Sequence, residues 1–200
     1  MSTKQIRDYY NSTKNSNVRA DLAYATSLLK DYRIAIDCGC GAGSDIAFLR
    51  NNEFTVYAFD IEEESIRRCA KRFKHDEKVI LSVDSFSSFV YPNASLILAD
   101  ASLLFCPPSE FDQVWTKIKQ ALSKRGVFCG TFLGPRDTMA TTDYADSVFW
   151  PAGKVFTEAE VRKNFEGFNI ATFSEIDLSG ETDQGIAHHW HMYSVVAQKV

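Results

Sequence analysis

The residues with the richest chemistry crowd into IAIDCGCGAGSD, residues 34 to 45, where an acid precedes three glycines at alternate positions. Glycines let a backbone turn tightly and approach a ligand with no side chain intervening. A helix opening just after them aims its first amide N–H groups at the same place. Two kinds of ligand suit such a turn: a dinucleotide held by its phosphates, or a molecule bearing positive charge. The dinucleotide fingerprint is G-x-G-x-x-G. Here Ser44 stands where its third glycine belongs, and Gly43 comes one residue early. Asp37, two residues before Gly39, would repel a pyrophosphate but attract an ammonium or sulfonium, directly or through water.

S-adenosyl-L-methionine carries both of those cations and no phosphate, so the chemistry favours it. Asp60 closes the run TVYAFD, seventeen residues past Gly43. A carboxylate there can accept hydrogen bonds from two ribose hydroxyls, a feature that NAD sites share. Asp84, followed by Ser85 and Phe86, can receive an adenine amino group while an apolar neighbour covers the ring; a plain helix cap is the alternative.

These positions need elements to hold them. Val18, Leu22, Ala25 and Leu29 recur at helical spacing, which predicts an amphipathic helix over 17–30. RIAID (33–37) reads as a buried strand ending in the glycine turn, and Ala42, Ile46 and Leu49 mark the helix that follows. TVYAFD (55–60), KVILSVD (78–84) and ASLILAD (94–100) are the next strands, with a helix stripe of Ile66, Cys69, Ala70 and Phe73 between the first two. Ser109 or Asp112 can cap a helix carrying Phe111, Val114, Trp115, Ile118 and Leu122 on one face, with Gly126 as its stop. GVFCGTFLG (126–134) is the fifth strand. TEAE (157–160) is a capping-box signature for a helix to about Phe165, and runs near 168–178 and 188–199 predict an antiparallel pair. Alternating strands and helices imply a mostly parallel sheet with helices on both faces. Ligands of such sheets bind outside the carboxyl ends of the strands, where the order reverses.

DCGCGAG, the acid in YAFD, the VDSF step and the closing β-pair resemble class I S-adenosyl-L-methionine-dependent methyltransferases, over about Asp31 to Val200. ADASLLFCPPSEFDQVW (99–115) and HHWHMYSVVAQK (188–199) are similar to a narrower branch, the small bacterial methyltransferases of the tellurite-resistance type. The resemblance implies an α/β, Rossmann-like three-layer sandwich with a seven-stranded, mostly parallel sheet and an antiparallel last strand. It also implies cofactor contacts from Asp37, Gly39, Gly41, Gly43, Asp60 and Asp84. Cys40, Ile61, Ser85 and Asp100, at the same strand ends, are expected to join them. One domain over 1–200 is expected, with 1–30 an N-terminal helical segment and 135–156 a lid or substrate loop.

The methyl acceptor should sit among the loop after strand four, the stretch after strand five and the N-terminal segment. Candidates are Tyr10, Ser102, Phe105, Arg136, Trp150 and His189. Tyr9 and Tyr10 can cover the cofactor or anchor their helix, and Tyr144 and Phe149 belong to the same irregular stretch as Trp150. FCPP is not the N/D-P-P-Y motif of adenine-N6 methyltransferases, and Cys106 reads as a small apolar filler rather than a nucleophile. Arg136 and Asp137 can pair with each other or line the pocket. On a strand, His189 and His191 share one face and His188 and Trp190 the other. Two histidines without a third ligand do not make a zinc site, so no metal is expected. Cys38 and Cys40 flank a glycine that must approach the ligand, so the turn accounts for them. No catalytic residue is singled out, because a sulfonium donor is already activated and the protein mainly positions donor and acceptor.

Composition narrows the rest. The 200 residues are 45% hydrophobic and 24% charged, with a formal net charge of -4 and five cysteines. An odd cysteine count argues against a disulfide framework and for reduced thiols. No apolar run reaches the roughly 20 residues of a membrane helix, and the start lacks a signal peptide's apolar core, so a cytoplasmic protein is expected. The basic cluster RRCAKRFK (67–74) reads as an exposed helix face, and the acidic balance argues against nucleic acid as partner. A small-molecule methyl acceptor and a monomer or homodimer are expected. An NAD-dependent oxidoreductase and an S-adenosyl-L-methionine-binding regulatory module without turnover are the competing readings; methylating RNA or protein would need a recognition surface absent from this sequence.

Overall fold

The computed structural model describes residues 8, 10, 11, 13, 17–30, 33–141, 153–182 and 185–200. Seven strands form one sheet: β1 (Ile34–Cys38), β2 (Thr55–Asp60), β3 (Val79–Val83), β4 (Ala94–Ala99), β5 (Leu122–Leu133), β6 (Phe168–Glu181) and β7 (Ala187–Lys199). Their spatial order is β3-β2-β1-β4-β5-β7-β6. The first five pair in parallel, and β7 runs antiparallel to both β5 and β6. The order reverses between β1 and β4, which opens a crevice at their carboxyl ends.

Alternation along the strands divides the core in two. Ala35, Leu96 and Leu98 face the helices α1 (Ala20–Ser27), α2 (Ser44–Asn51) and α3 (Glu63–Arg72), packing with Leu22, Ile46, Leu49 and Cys69. Ile36, Ile97 and Phe128 face α4 (Phe111–Ala121) and α5 (Glu158–Asn164), packing with Phe111, Val114, Trp115, Ile118 and Val161. The result is the expected three-layer sandwich. Trp115 Nε1 donates to the Asn164 carbonyl at 3.1 Å, tying α4 to α5. The capping box of α5 forms as its sequence predicts: Thr157 Oγ1 accepts from the Glu160 amide, and Glu160 accepts from the Thr157 amide.

Several boundaries differ from the sequence expectation. α1 is shorter at both ends than 17–30, and Arg19, at its N-cap, is extended with φ -71° and ψ 141°. α4 stops at Ala121 rather than near Gly126, because Leu122 pairs with Ala94 and a bulge with Arg125 at φ 63° intervenes before Val127 rejoins β4. At the start of α4 neither Ser109 nor Asp112 caps; the N-cap is Glu110, without a side-chain bond. The β6–β7 hairpin is longer than the runs that announced it, with β6 paired on one side only.

Candidate functional site

The turn between β1 and α2 is held from three directions. Gly39, Gly41 and Gly43 all have positive φ, and the amides of Gly39 and Cys40 both donate to the Phe59 carbonyl, at 2.8 and 3.0 Å. A Cβ on Gly39 would lie 2.6 Å from the Ser102 Cβ, so side chains are barred there by space as well as by φ. From β2, Asp60 Oδ2 accepts from the Gly41 amide at 2.9 Å and from Ser65 Oγ at 3.0 Å, while Oδ1 accepts from the Glu62 amide at 3.0 Å. A carboxylate has about four acceptor positions, so Asp60 keeps roughly one for a ligand hydroxyl. Burial raises its pKa against these amide donors. From α3, Arg72 Nη1 donates to the carbonyls of Ala42 and Gly43 at 3.2 and 3.1 Å. The basic run at 67–74 therefore does more than solvate a helix face.

Asp37 closes in on the crevice from β1. It is 5% exposed, and its Oδ2 is buried with no hydrogen-bond partner among the described residues. Burial, reinforced by Asp45, raises its pKa well above the ordinary carboxylate value, and Arg19 works the other way. Beside it, Arg19 Nη1 meets Asp21 Oδ2 and Asp100 Oδ1, each at 2.9 Å, and Nη2 lies 3.5 Å from Asp45 Oδ2. Burial pushes the Asp100 carboxyl up to about 6, against the pull of Arg19. Three carboxylates thus surround one guanidinium, from α1, the start of α2 and the end of β4. Arg19 carried no motif signal. An excess of strand-end acids, which needs a counterion once buried, was the one clue to it.

On the β2–β3 side, Asp84 Oδ1 accepts from Ser88 Oγ at 2.8 Å, and Ser85 joins the same hydroxyl cluster. Phe86 stands edge-on to Phe59, with ring centroids 5.5 Å apart. Ile61 is 63% exposed despite its size, next to the braced Asp60. An apolar side chain left open beside a carboxylate suits a flat ring with hydroxyl-bearing sugar attached.

The acceptor candidates scatter. Tyr10 is buried against the glycine turn with its ring 3.9 Å from the Cβ position of Gly41, and Arg68 lies over the ring at 5.6 Å. Ser102 braces the turn: its Oγ donates to the Cys38 carbonyl at 2.6 Å. Phe105 is half-buried in a short 3-10 turn. Arg136 pairs neither with Asp137 nor into a pocket; it bonds Glu175 Oε1 at 2.7 Å and Asp177 on β6. His189 contacts Asp177 Oδ1 at 2.8 Å and Ser179 Oγ at 2.7 Å. Asp137, 1% exposed, accepts from His188 Nε2, the His191 amide and the Met139 amide. The Arg136 amide donates to His191 Nδ1, which leaves Nε2 to donate to Glu175 Oε1 at 2.9 Å. Gly134 is obligatory in this latch, because the His191 ring occupies the space a Cβ would need. Glu175, Asp177 and His191 stand close enough to share a metal ion, but the Arg136 guanidinium already supplies the positive charge at both carboxylates. Trp150, Tyr144 and Phe149 lie outside the described residues, as do Tyr9 and much of the expected 135–156 loop.

A cavity of about 410 Å³ opens beside Asp100, on the α1 face of the sheet, bounded by Arg19, Asp21, Thr131, Ser174, Met192 and Ser194. The strand order, the glycine turn and the acidic crevice match the Rossmann-like fold of methyltransferases. Residues 35–126 match the model of a family described as "Methyltransferase domain", a span that holds every strand end of the crevice. A search of the curated proteins returns no match. Among solved structures, the chain is similar to TehB from Haemophilus influenzae, with TM-score 0.75 and 15% identity over 98% of this chain and 67% of that one. It is also similar to the 1,6-didemethyltoxoflavin-N1-methyltransferase of Burkholderia thailandensis, solved with its substrate and S-adenosylhomocysteine (TM-score 0.69, 18% identity, 100% and 84% covered). A third is the N-methyltransferase NodS from Bradyrhizobium japonicum WM9 (TM-score 0.63, 12% identity, 99% and 98% covered). No helix among the described residues is long and apolar enough to cross a membrane.

Proposed function

We propose that the protein transfers the methyl group of S-adenosyl-L-methionine to a small molecule bound in the cavity beside Asp100. The observation that carries the reading is Asp37: a buried carboxylate with a free oxygen, standing just before a turn that would otherwise suit phosphate. The crevice fits the cofactor residue by residue. The glycine turn lies against its backbone, Asp60 offers its remaining acceptor position to the ribose, and Ile61 and the Asp84–Ser85 step border the adenine. Asp37 and Asp100 face its cationic end.

When bound, the cofactor supplies a methyl group on a sulfonium, already activated for in-line displacement. The chain's own part is to hold donor and acceptor in line and to exclude water. The cavity volume lies within the range of small-molecule sites, roughly 300–1,000 Å³. Its hydroxyls and apolar walls suit a compact polar acceptor rather than a polymer, and the B. thailandensis neighbour, which acts on a small heterocycle, supports that class. The test is direct: the protein is incubated with S-adenosyl-L-methionine and a panel of small metabolites, and S-adenosylhomocysteine is measured. Acceptor-dependent product supports the reading. Cofactor binding without turnover on any acceptor rejects it in favour of a regulatory module.

A further inference from the structure

Two thiols meet where α3 packs against the glycine turn. Cys40 belongs to the turn and Cys69 to α3, and the Cys40 S–H donates to Cys69 Sγ. The same few atoms hold both sulfurs. Cys69 Sγ donates to the Gly41 carbonyl at 3.5 Å. Cys40 Sγ lies 3.8 Å from Ser65 Oγ, which itself donates to that carbonyl at 2.6 Å. A Cβ on Gly43 would come within 2.9 Å of Cys69 Sγ, so this sulfur packs directly on the turn. Cys69 is fully buried, while Cys40 is 7% exposed.

The pair is chemically unequal. The S–H received from Cys40 holds the Cys69 thiol below its ordinary pKa against burial, and Arg72 adds its pull. Arg72 is in place for this, because its Nη1 is fixed to the Ala42 and Gly43 carbonyls. When Cys69 ionises, the Gly41 carbonyl keeps Ser65 as a donor. A thiolate is the form that peroxides oxidise, and a neighbouring thiol resolves the product. We propose that Cys40 and Cys69 form a modification site that a hydroperoxide closes to a disulfide. With hydrogen peroxide, Cys69 sulfur attacks one oxygen and the O–O bond breaks. Cys69 becomes a sulfenic acid, and the departing hydroxide takes up the proton Cys69 released, giving water. Cys40 sulfur then attacks the sulfenic sulfur, the S–O bond breaks, and a second water carries off the Cys40 proton. Two electrons have passed from the sulfurs to the peroxide. The new bond draws the sulfurs inside their non-bonded distance, so the turn must shift against α3. Ser65 passes the shift on, since it bridges the Gly41 carbonyl and Asp60 Oδ2, which also accepts from the Gly41 amide. Resting on the S-adenosyl-L-methionine reading of the crevice, oxidation lowers affinity for the cofactor, and bound cofactor opposes oxidation in return.

The experiment treats the full chain with hydrogen peroxide, with and without S-adenosylhomocysteine, alkylates the remaining thiols and maps tryptic peptides by mass. The expected product joins residues 69–71 to residues 34–50, with fragmentation placing the bond on Cys40 rather than Cys38. Bound S-adenosylhomocysteine should slow its formation by about threefold or more. Calorimetry should find the oxidised protein binding S-adenosylhomocysteine about tenfold more weakly than the reduced one, with a thiol reductant restoring the affinity. In Cys69→Ala, affinities before and after peroxide should agree within about twofold. Absence of the cross-link, a bond to Cys38, or a tenfold loss that persists in Cys69→Ala overturns the proposal. So does a cross-link that leaves affinity unchanged. If Cys69→Ala fails to fold by circular dichroism, Cys69→Ser takes its place with the same expected result. Failure of the reduced wild-type protein to bind S-adenosylhomocysteine strikes instead at the cofactor reading, while the peptide map still decides the disulfide.

Discussion

Ser102 Oγ hydrogen-bonds the Cys38 carbonyl at 2.6 Å, so the loop leaving β4 is bolted to the turn leaving β1. The neighbouring Ala101 pays for this in backbone strain: it sits at φ 44°, with its amide held by Thr131 Oγ1 at 2.8 Å. Replacing the hydroxyl leaves a buried carbonyl unsatisfied. Ser102→Ala is expected to cost about 1–2 kcal/mol in urea denaturation and to weaken S-adenosylhomocysteine binding. Unchanged values of both would mean that the bolt is idle.

Gly39 and Ser102 should also be coupled energetically. Gly39→Ala meets both a positive φ and the Ser102 Cβ, and should destabilise by about 2–4 kcal/mol. Adding Ser102→Gly removes the collision but not the φ strain. The double mutant should therefore be less destabilised than the sum of the single changes, by about 1 kcal/mol. Strict additivity in a double-mutant cycle would place the whole cost in the backbone angle.

Asp100 links cofactor binding to pH. Its folded-state pKa, about 6, lies above the usual carboxylate value. The folded protein accordingly holds this proton more tightly than the unfolded chain. The contribution of Asp100 to stability is present at low pH and is lost as pH rises from about 4 through about 6. Affinity for a cationic ligand runs the opposite way, because protonation removes the charge that attracts it. Binding of S-adenosyl-L-methionine, whose sulfonium gives it a net positive charge, should weaken about tenfold between pH 7 and pH 5, and Asp100→Asn should flatten the part centred near pH 6. A wild-type affinity that is level over that range would contradict it.

The latch on the far side of the sheet is a stability element. Asp137 is the buried acceptor for three donors from two segments, so Asp137→Ala should cost about 2–4 kcal/mol. Asp137→Asn, which keeps one acceptor oxygen, should recover part of the loss. Chemical denaturation reads both. An Asp137→Ala midpoint equal to the wild type would show that water replaces the carboxylate without cost.

The half of the sheet that carries the crevice was legible because its signals are local. Apolar runs gave β1 to β4, glycines gave the turn, and the Thr157–Glu160 pair gave the start of α5. What the sequence hid was tertiary. Leu122 continues the apolar stripe of α4, yet its pairing with Ala94 makes it strand. Arg136 has an acid next to it in sequence, but its partners stand 39 and 41 residues away. The histidines were placed on the correct faces by alternation. Their acidic partners on β6 needed the hairpin register, with Asp177 opposite His191 and Ser179 opposite His189. Arg19 was silent for the same reason, since its three carboxylates come from α1, α2 and the end of β4.

The position of β7 constrains how the molecule can be made. It is the last strand in chain order, yet it is sandwiched between β5 and β6, and β6 pairs with nothing else in the sheet. During synthesis, therefore, the cofactor-binding half can assemble on the ribosome while β6 waits with a bare edge and β5 with an open flank. Both are closed in one late step, when a 13-residue strand threads into the gap. The β5–β7 contacts, unlike those of the β6–β7 hairpin, join segments far apart along the chain and form slowly, and an unpaired edge is an invitation to pair with a neighbour in the meantime. The open flank of β5 is the edge most exposed to wrong pairing in that interval.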